Sequence, residues 1–165
     1  MPQPLFHPPG HDHANCEAIA IADAEALCAE RDLKLTPGRR QVLEALLSDH
    51  RPVGAYEIMD RLAAHGPRPA PITVYRALDF LLQAGLVHRI ASRNAFVACI
   101  RNHAAGDSVM FLICERCGMV GEANSESVRK ALDAAAAEAG FAPKLPVIEV
   151  PGLCAHCRAG ESAVG

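Results

Sequence analysis

The stretch PITVYRALDFLLQAG, residues 71–85, decides how the N-terminal half of this 165-residue chain is read. Pro71 suits the first helical position, where a missing N–H costs nothing, and Gly85 suits the stop. Between them Val74, Leu78, Leu81 and Leu82 recur at helical spacing and make one inward stripe. Thr73, Tyr75, Arg76 and Asp79 then face solvent at the N-terminal end of the helix.

Upstream, Thr36-Pro37 marks a helix start, with Thr36 as N-cap. Val42, Leu43, Leu46 and Leu47 form its apolar stripe. Residues 55–65 read as a second helix, with Ile58, Met59 and Leu62 inward and Gly66 as the stop, and the run GPRPAP (66–71) ends it. Ahead of both, residues 16–31 read as a helix with Ile19, Leu27 and several alanines on one side. Cys28 on that helix reads as a small core residue. Downstream, residues 86–90 and 95–99 are two short apolar runs joined by Ala-Ser-Arg-Asn, a hairpin loop. Three short helices followed by a β-ribbon give a winged helix-turn-helix. Its third helix enters the major groove and its ribbon lies along the phosphates.

The C-terminal half reads differently. Residues 100–107 (IRNHAAGD) are polar and make a hinge. Residues 109–113, 119–123 and 145–150 read as strands. A helix over 125–139 carries Val128, Leu132 and Ala135 or Ala136 on one face, with Ser125 as N-cap and Gly140 as C-cap. Two C-x-x-C pairs, Cys114/Cys117 and Cys154/Cys157, are separated by thirty-six residues. Two such pairs make a closed four-cysteine site, the usual form of structural zinc. The unit has too little core to be secure alone, and metal and a second copy of the chain would supply what is missing. The fold class is therefore α+β: an N-terminal winged helix-turn-helix DNA-binding domain and a small C-terminal α/β dimerisation domain with a structural zinc on four cysteines. The divisions are a disordered tail (1–14), the winged-helix domain (15–99), the hinge (100–107), the dimerisation and metal-binding domain (108–158) and a second tail (159–165). The first tail is rich in Pro and His, with His7, His11 and His13 near Cys16, and reads as a floppy end.

Composition narrows the function classes. The net charge is −3, but it is unevenly spread. Residues 1–30 carry five acids and no Lys or Arg. Residues 31–93 carry ten basic and six acidic residues and form the one basic segment. A local basic face is what phosphate contact needs. The apolar runs are too short to cross a bilayer and the N-terminus lacks signal-peptide order, so a cytoplasmic protein with no membrane partner is expected. In a reducing compartment paired cysteines favour metal over disulfide. No H-E-x-x-H or nucleophile–base motif appears and the four-cysteine site is closed, so an enzyme with a small-molecule substrate is not expected. A thioredoxin-type reading of one C-x-x-C leaves the second pair unexplained.

The order Leu35-Thr36-Pro37-x-Arg39, then Thr73-Val74-Tyr75-Arg76-Ala77-Leu78-x-Phe80-Leu81, then C-x-x-C-Gly118, then Gly152-Leu153-Cys154-x-x-Cys157 resembles the ferric uptake regulator family of metal-sensing bacterial repressors. Within it the chain is most similar to the zinc uptake regulators. The resemblance spans residues 16–158. It implies a homodimer bound to double-stranded operator DNA, and two zinc ions per chain, one structural and one regulatory. The matching regulatory ligands of the zinc regulators are a His, a Cys, a second His and a Glu. His88, Cys99 and Glu122 match three of them. At the fourth, Asp107 holds the register, while His103, four residues earlier, has the chemistry. The His-His-Asp-His type of tract that marks the iron and peroxide sensors is missing, and a Cys ligand favours Zn²⁺ over Fe²⁺. Sensing of nickel or iron, or a structural zinc alone, are the alternatives on this scaffold.

On the DNA side, Arg76 could fork to guanine O6 and N7, and Tyr75 could reach a base edge, a thymine methyl or a phosphate, with Thr73 beside them. Arg39, Arg51, Arg89 and Arg93 are the phosphate candidates.

Overall fold

A computed structural model describes residues 5–6, 13–99, 109–144 and 146–162. The chain divides into two compact units, one of Pro9–Ile100 and one of Met1–Pro8 with Arg101–Gly165.

The first unit begins with α1 (His13–Glu30). Its buried positions are Ile21, Ala24 and Cys28, three or four residues apart. Ile19, expected inward, is 55% exposed. The helix is so rich in alanine that its sides differ little in hydropathy, and small residues on one side allow close approach to neighbouring helices. Asp32 (φ 54) closes the helix, with the Leu33 N–H on the Cys28 carbonyl at 2.8 Å.

Next come α2 (Pro37–Leu47), α3 (Ala55–Ala63) and α4 (Pro71–Gln83). The expected stripes of α2 and α4 face the core. Thr36 occupies the N-cap position of α2 with extended backbone, but its side chain makes no cap hydrogen bond. The cap is conformational: the first helical bond runs from the Arg40 N–H to the Thr36 carbonyl, 2.9 Å. α4 ends in a Schellman turn. Gly85 (φ 74) donates to the Leu82 carbonyl at 3.1 Å, and Leu86 to the Leu81 carbonyl at 2.9 Å.

The turn delivers the chain into β1 (Val87–Ile90), which pairs antiparallel with β2 (Ala95–Ala98), His88 opposite Val97 and Arg89 opposite Phe96. The expected hairpin loop is a 3₁₀ turn, Ala91–Arg93, closed by Asn94 at φ 47. A backbone bridge from Val53 to Phe96 ties the ribbon to the chain ahead of α3. One core, from Ile21 to Ala98, holds the four helices and the ribbon together.

The second unit is a three-stranded sheet in the order β4-β3-β5, where β3 is Val109–Cys114, β4 Val120–Ala123 and β5 Val147–Gly152. β4 runs antiparallel to β3 and β5 parallel to it, in register from Val109↔Val147 to Cys114↔Gly152. The crossover carries α5 (Glu126–Glu138). Ser125 caps it by accepting from the Val128 N–H at 3.4 Å, and Gly140 (φ 67) stops it. α5 has no fully buried residue: of the apolar face expected of it, Leu132 and Ala136 are half-buried and Val128 is exposed. A further helix, α6 (Ala155–Ser162), starts inside the second cysteine pair and runs on through 159–162, which the sequence reading leaves as a tail. Leu5 and Phe6 lie against Gly121 of β4. The hinge of residues 100–107 lies outside the described residues, as does most of the N-terminal tail, with His7 and His11. Among the described residues, no helix is long and apolar enough to cross a membrane.

Candidate metal centre and nucleic-acid interface

Parallel pairing of β3 and β5 sends both strands out at the same end of the sheet, and each leads into a cysteine pair. Cys114 closes β3. Its N–H donates to the Met119 carbonyl and its carbonyl accepts from Gly118, both at 2.9 Å, and Gly118 adopts φ 76. This tight turn returns Cys117 toward Cys114. The Glu115 N–H donates to the Gly152 carbonyl at 2.8 Å and locks the turn to the end of β5. From there Leu153 leads to Cys154, and the first turn of α6 brings Cys157 round. Arg116 donates to the Cys157 carbonyl at 2.8 Å.

The four sulfurs all lie within 4.8 Å of one another. Cys117 Sγ and Cys154 Sγ are 3.9 Å apart. A tetrahedral ion with Zn–S of about 2.3 Å would set its sulfurs about 3.8 Å apart, so four soft donors stand at the separation such an ion requires. Cys114 and Cys154 are buried, and Cys117 and Cys157 half-buried. Burial pushes the Cys114 thiol up, but the N–H groups of Cys117, Cys154 and Arg116 outweigh it and hold the group down at about 6. The Cys154 N–H reaches Cys114 Sγ at 3.4 Å. Partial burial, and then the neighbouring thiols, push Cys157 up to about 12. A cation bound here would draw the remaining protons from the thiols.

The remaining metal candidates fall in different places. His88 lies on β1. Cys99 follows β2, and its N–H donates to the Leu86 carbonyl at 2.9 Å, which extends the ribbon by one rung. That rung brings an imidazole nitrogen of His88 and the Cys99 sulfur within 4.8 Å of each other. Both residues are half-buried. Glu122 lies on β4 opposite Phe111, in the second unit. Asp107 and His103 lie outside the described residues.

Of the DNA candidates, Thr73, Tyr75 and Arg76 are exposed on the first turns of α4, on the side opposite the buried Val74, Ala77 and Leu78. Arg76 makes no hydrogen bond or ion pair among the described residues. Arg93 is exposed on the 3₁₀ turn at the tip of the ribbon, and Arg89 donates to Asn94 Oδ1 at 3.1 Å. Arg51 is exposed, with its guanidinium 4.0 Å from Asp49. Arg39 is engaged otherwise. Its guanidinium lies over the Phe80 ring and donates to the Lys34 carbonyl at 2.6 Å. An exposed aromatic that the sequence reading overlooks is Tyr56, 67% exposed in the first turn of α3. Its place off the Ile58–Met59–Leu62 stripe is the available signal.

A model of the ferric uptake regulator family matches residues 30–150, from the end of α1 through most of β5. The chain belongs to the ferric uptake regulator family. It is 44% identical over 138 residues to the zinc uptake regulation protein of Escherichia coli K12, covering 83% of this chain and 80% of that one. Among solved structures, a zinc uptake regulator complexed with zinc and DNA superposes with a TM-score of 0.80 at 39% identity, over 88% of this chain and 97% of that chain. A holo zinc regulator, XcZur, gives 0.76 at 43% identity, over 90% and 99%. A peroxide operon regulator of Bacillus subtilis is more distant, 28% identical over 150 residues. In this member of the family, the winged-helix unit carries the exposed Tyr75–Arg76 pair and the smaller unit carries the four-cysteine cluster.

Proposed function

We propose that this chain is a zinc-responsive, homodimeric transcriptional repressor that binds a palindromic operator when its regulatory site is filled, and so controls zinc uptake genes. The observation that carries the reading is the meeting of His88 and Cys99 at the base of the ribbon, a nitrogen and a sulfur donor on the DNA-binding unit itself. The E. coli relative is named for zinc uptake regulation, and the solved neighbour holds zinc and DNA together. Both support the reading.

Two zinc ions per chain are assigned. The structural ion takes Cys114, Cys117, Cys154 and Cys157. The regulatory ion takes His88 and Cys99 from the winged-helix unit, with Glu122 and Asp107 (His103 as the alternative to Asp107) from beyond the hinge. Filling this site pins the two units in the DNA-competent arrangement, and the recognition helices of a dimer then stand about one helical turn apart, ~34 Å. Zinc can favour that arrangement only by binding it better, so operator DNA must tighten zinc binding by the same factor. Arg76 and Tyr75 read bases, with Thr73 beside them, and Arg51, Arg89 and Arg93 meet phosphates. Arg39 contributes its charge to that face from a stacked position.

Dimerisation is supported by the apolar residues the smaller unit leaves uncovered. Val147 is 56% and Phe141 67% exposed, Val128 is also open, and β5 is an edge strand among the described residues. An unpaired apolar edge is a surface for a second copy.

The test is metal analysis of protein purified reduced, paired with operator binding across a zinc titration. Two zinc ions per chain and zinc-dependent affinity are expected. One tightly held zinc, with binding that ignores added metal, would leave a regulator with structural zinc alone. A response to nickel or iron in place of zinc would reassign the sensor.

A further inference from the structure

Gly121 is buried in the middle of β4, and its φ is not in the left-handed region. The backbone there would accept any residue. What forbids a side chain is the N-terminal segment: a Cβ on Gly121 would meet the Leu5 carbonyl oxygen at 2.9 Å and the Phe6 ring at 3.0 and 3.1 Å. A glycine at such a place marks a close approach. The approaching segment is more than a hundred residues away in sequence, and it comes from a stretch whose composition reads as a floppy tail.

Gly121 pairs with Leu112, and Leu112 with Val150, so these three positions make one row across one face of the sheet. The Phe6 ring sits over that face. It lines a cavity of ≈140 Å³ together with Leu112, Val150, Leu153, Cys114 and Cys154. The second member of each cysteine pair, Cys117 and Cys157, does not line it. The ring therefore faces one half of the sulfur cluster, the half of Cys114 and Cys154.

We infer that Leu5 and Phe6 form an internal cap on the four-cysteine centre, with Phe6 as the plug and Gly121 as its seat. The inference rests on the reading of the four cysteines as a zinc site. The apolar shell around a metal centre governs solvent access and dielectric, and thiolates react in proportion to their exposure. A ring across the cavity from Cys114 and Cys154 would restrict the approach of chelators and electrophiles from that side of the site. Without the ring that side of the site is open.

The experiment uses full-length, zinc-loaded wild type beside F6A, F6L and G121A. Zinc transfer to a chromogenic chelator is followed over time, and parallel samples are alkylated and each cysteine is quantified by mass spectrometry. F6A and G121A should release zinc faster, on the order of tenfold. Cys114 and Cys154 should gain label while Cys117 and Cys157 do not, and F6L should stay with wild type. G121A keeps the whole tail and denies it only its seat, so it carries the test if F6A fails to fold. Equal release and equal labelling in all four proteins would overturn the cap. So would a uniform gain across the four cysteines, which reports general loosening. A wild-type protein with no zinc on these thiols would instead overturn the metal assignment, and the labelling pattern would still judge the cap.

Discussion

The guanidinium of Arg39 lies over the ring of Phe80, 3.6 Å from its centroid, and so fastens the first turn of α2 to α4. A hydrogen bond to the Lys34 carbonyl helps hold it in that place. Stacking of this kind is worth about 0.5–1 kcal/mol at exposed sites. Arg39→Ala should therefore lower the melting temperature of the DNA-free protein as well as weaken operator binding. Arg39→Lys keeps the charge but not the planar stack, and should restore affinity more than stability. An unchanged melt in Arg39→Ala would return the residue to phosphate contact alone.

Arg76 invites the opposite pattern, since nothing described in the protein uses its side chain. Arg76→Ala should leave zinc content and thermal stability as they are. It should cost about 1–3 kcal/mol of operator affinity, the value of one bidentate base contact. Competition with scrambled DNA checks the role: a base reader loses the difference between operator and scrambled sequence. Equal loss on both would make Arg76 a phosphate contact.

Cys99→Ser separates the two proposed ions. Serine keeps the size of the side chain but is a far poorer zinc ligand. Total zinc should fall from two ions per chain to one, and operator affinity should cease to respond to added zinc. Fluorescence anisotropy across a zinc titration gives the readout. Zinc-dependent binding that survives unchanged would remove Cys99 from the sensor.

Cys154→Ser should act on the other ion and on the fold. The buried apolar side chains of the smaller unit, among the described residues, are Phe111, Ile113, Val120 and the cysteines Cys114 and Cys154. Such a core is small, and a structural zinc is worth roughly 10–16 kcal/mol in peptides of comparable need. Loss of the ion should open this unit while the winged-helix unit, with its own core, stays folded. Limited proteolysis should then cut first beyond residue 108, and a strong chelator should reproduce the pattern in the wild type.

Gly85→Ala tests the joint between α4 and the ribbon. Gly85 holds φ 74, yet a Cβ there would meet nothing within 4 Å. The cost is therefore backbone alone, about 1–2 kcal/mol, and Gly85→Asn should cost less. A thermal or urea melt reads both. Equal losses for Ala and Asn would mean that packing, not φ, sets the requirement.

The helices of the winged unit are legible in the sequence because their core positions are large and repeat every three or four residues, as Val74, Leu78 and Leu81 do. α1 is legible in outline, but its buried side is not, as Ile19 shows, since alanine on every side removes the contrast on which periodicity depends. α6 offers no apolar stripe to find. Its first turn is ordered by the demand that Cys154 and Cys157 face the same two thiols. The four cysteines announce themselves by spacing alone. His88 and Cys99 do not, because they come together through antiparallel pairing across a turn of unpredicted form. Phe6 is the hardest to see. A lone aromatic among prolines and histidines has no period, and its partner, a glycine, shows only as the absence of a side chain.

The parallel pairing of β3 with β5 has a consequence for how the protein is made. Synthesis is vectorial, and the first cysteine pair leaves the ribosome well before the second. In that interval two thiols stand alone beside an unfinished sheet, and the strand that would flank Cys114 has not been translated. Two thiolates cannot enclose an ion as four do, so firm capture waits until residue 157 has emerged. Zinc capture would in this sense be a checkpoint on translation as far as residue 157: a chain broken off within α5 can close neither its sheet nor its metal cage, and quality-control proteases would meet it as an open hairpin.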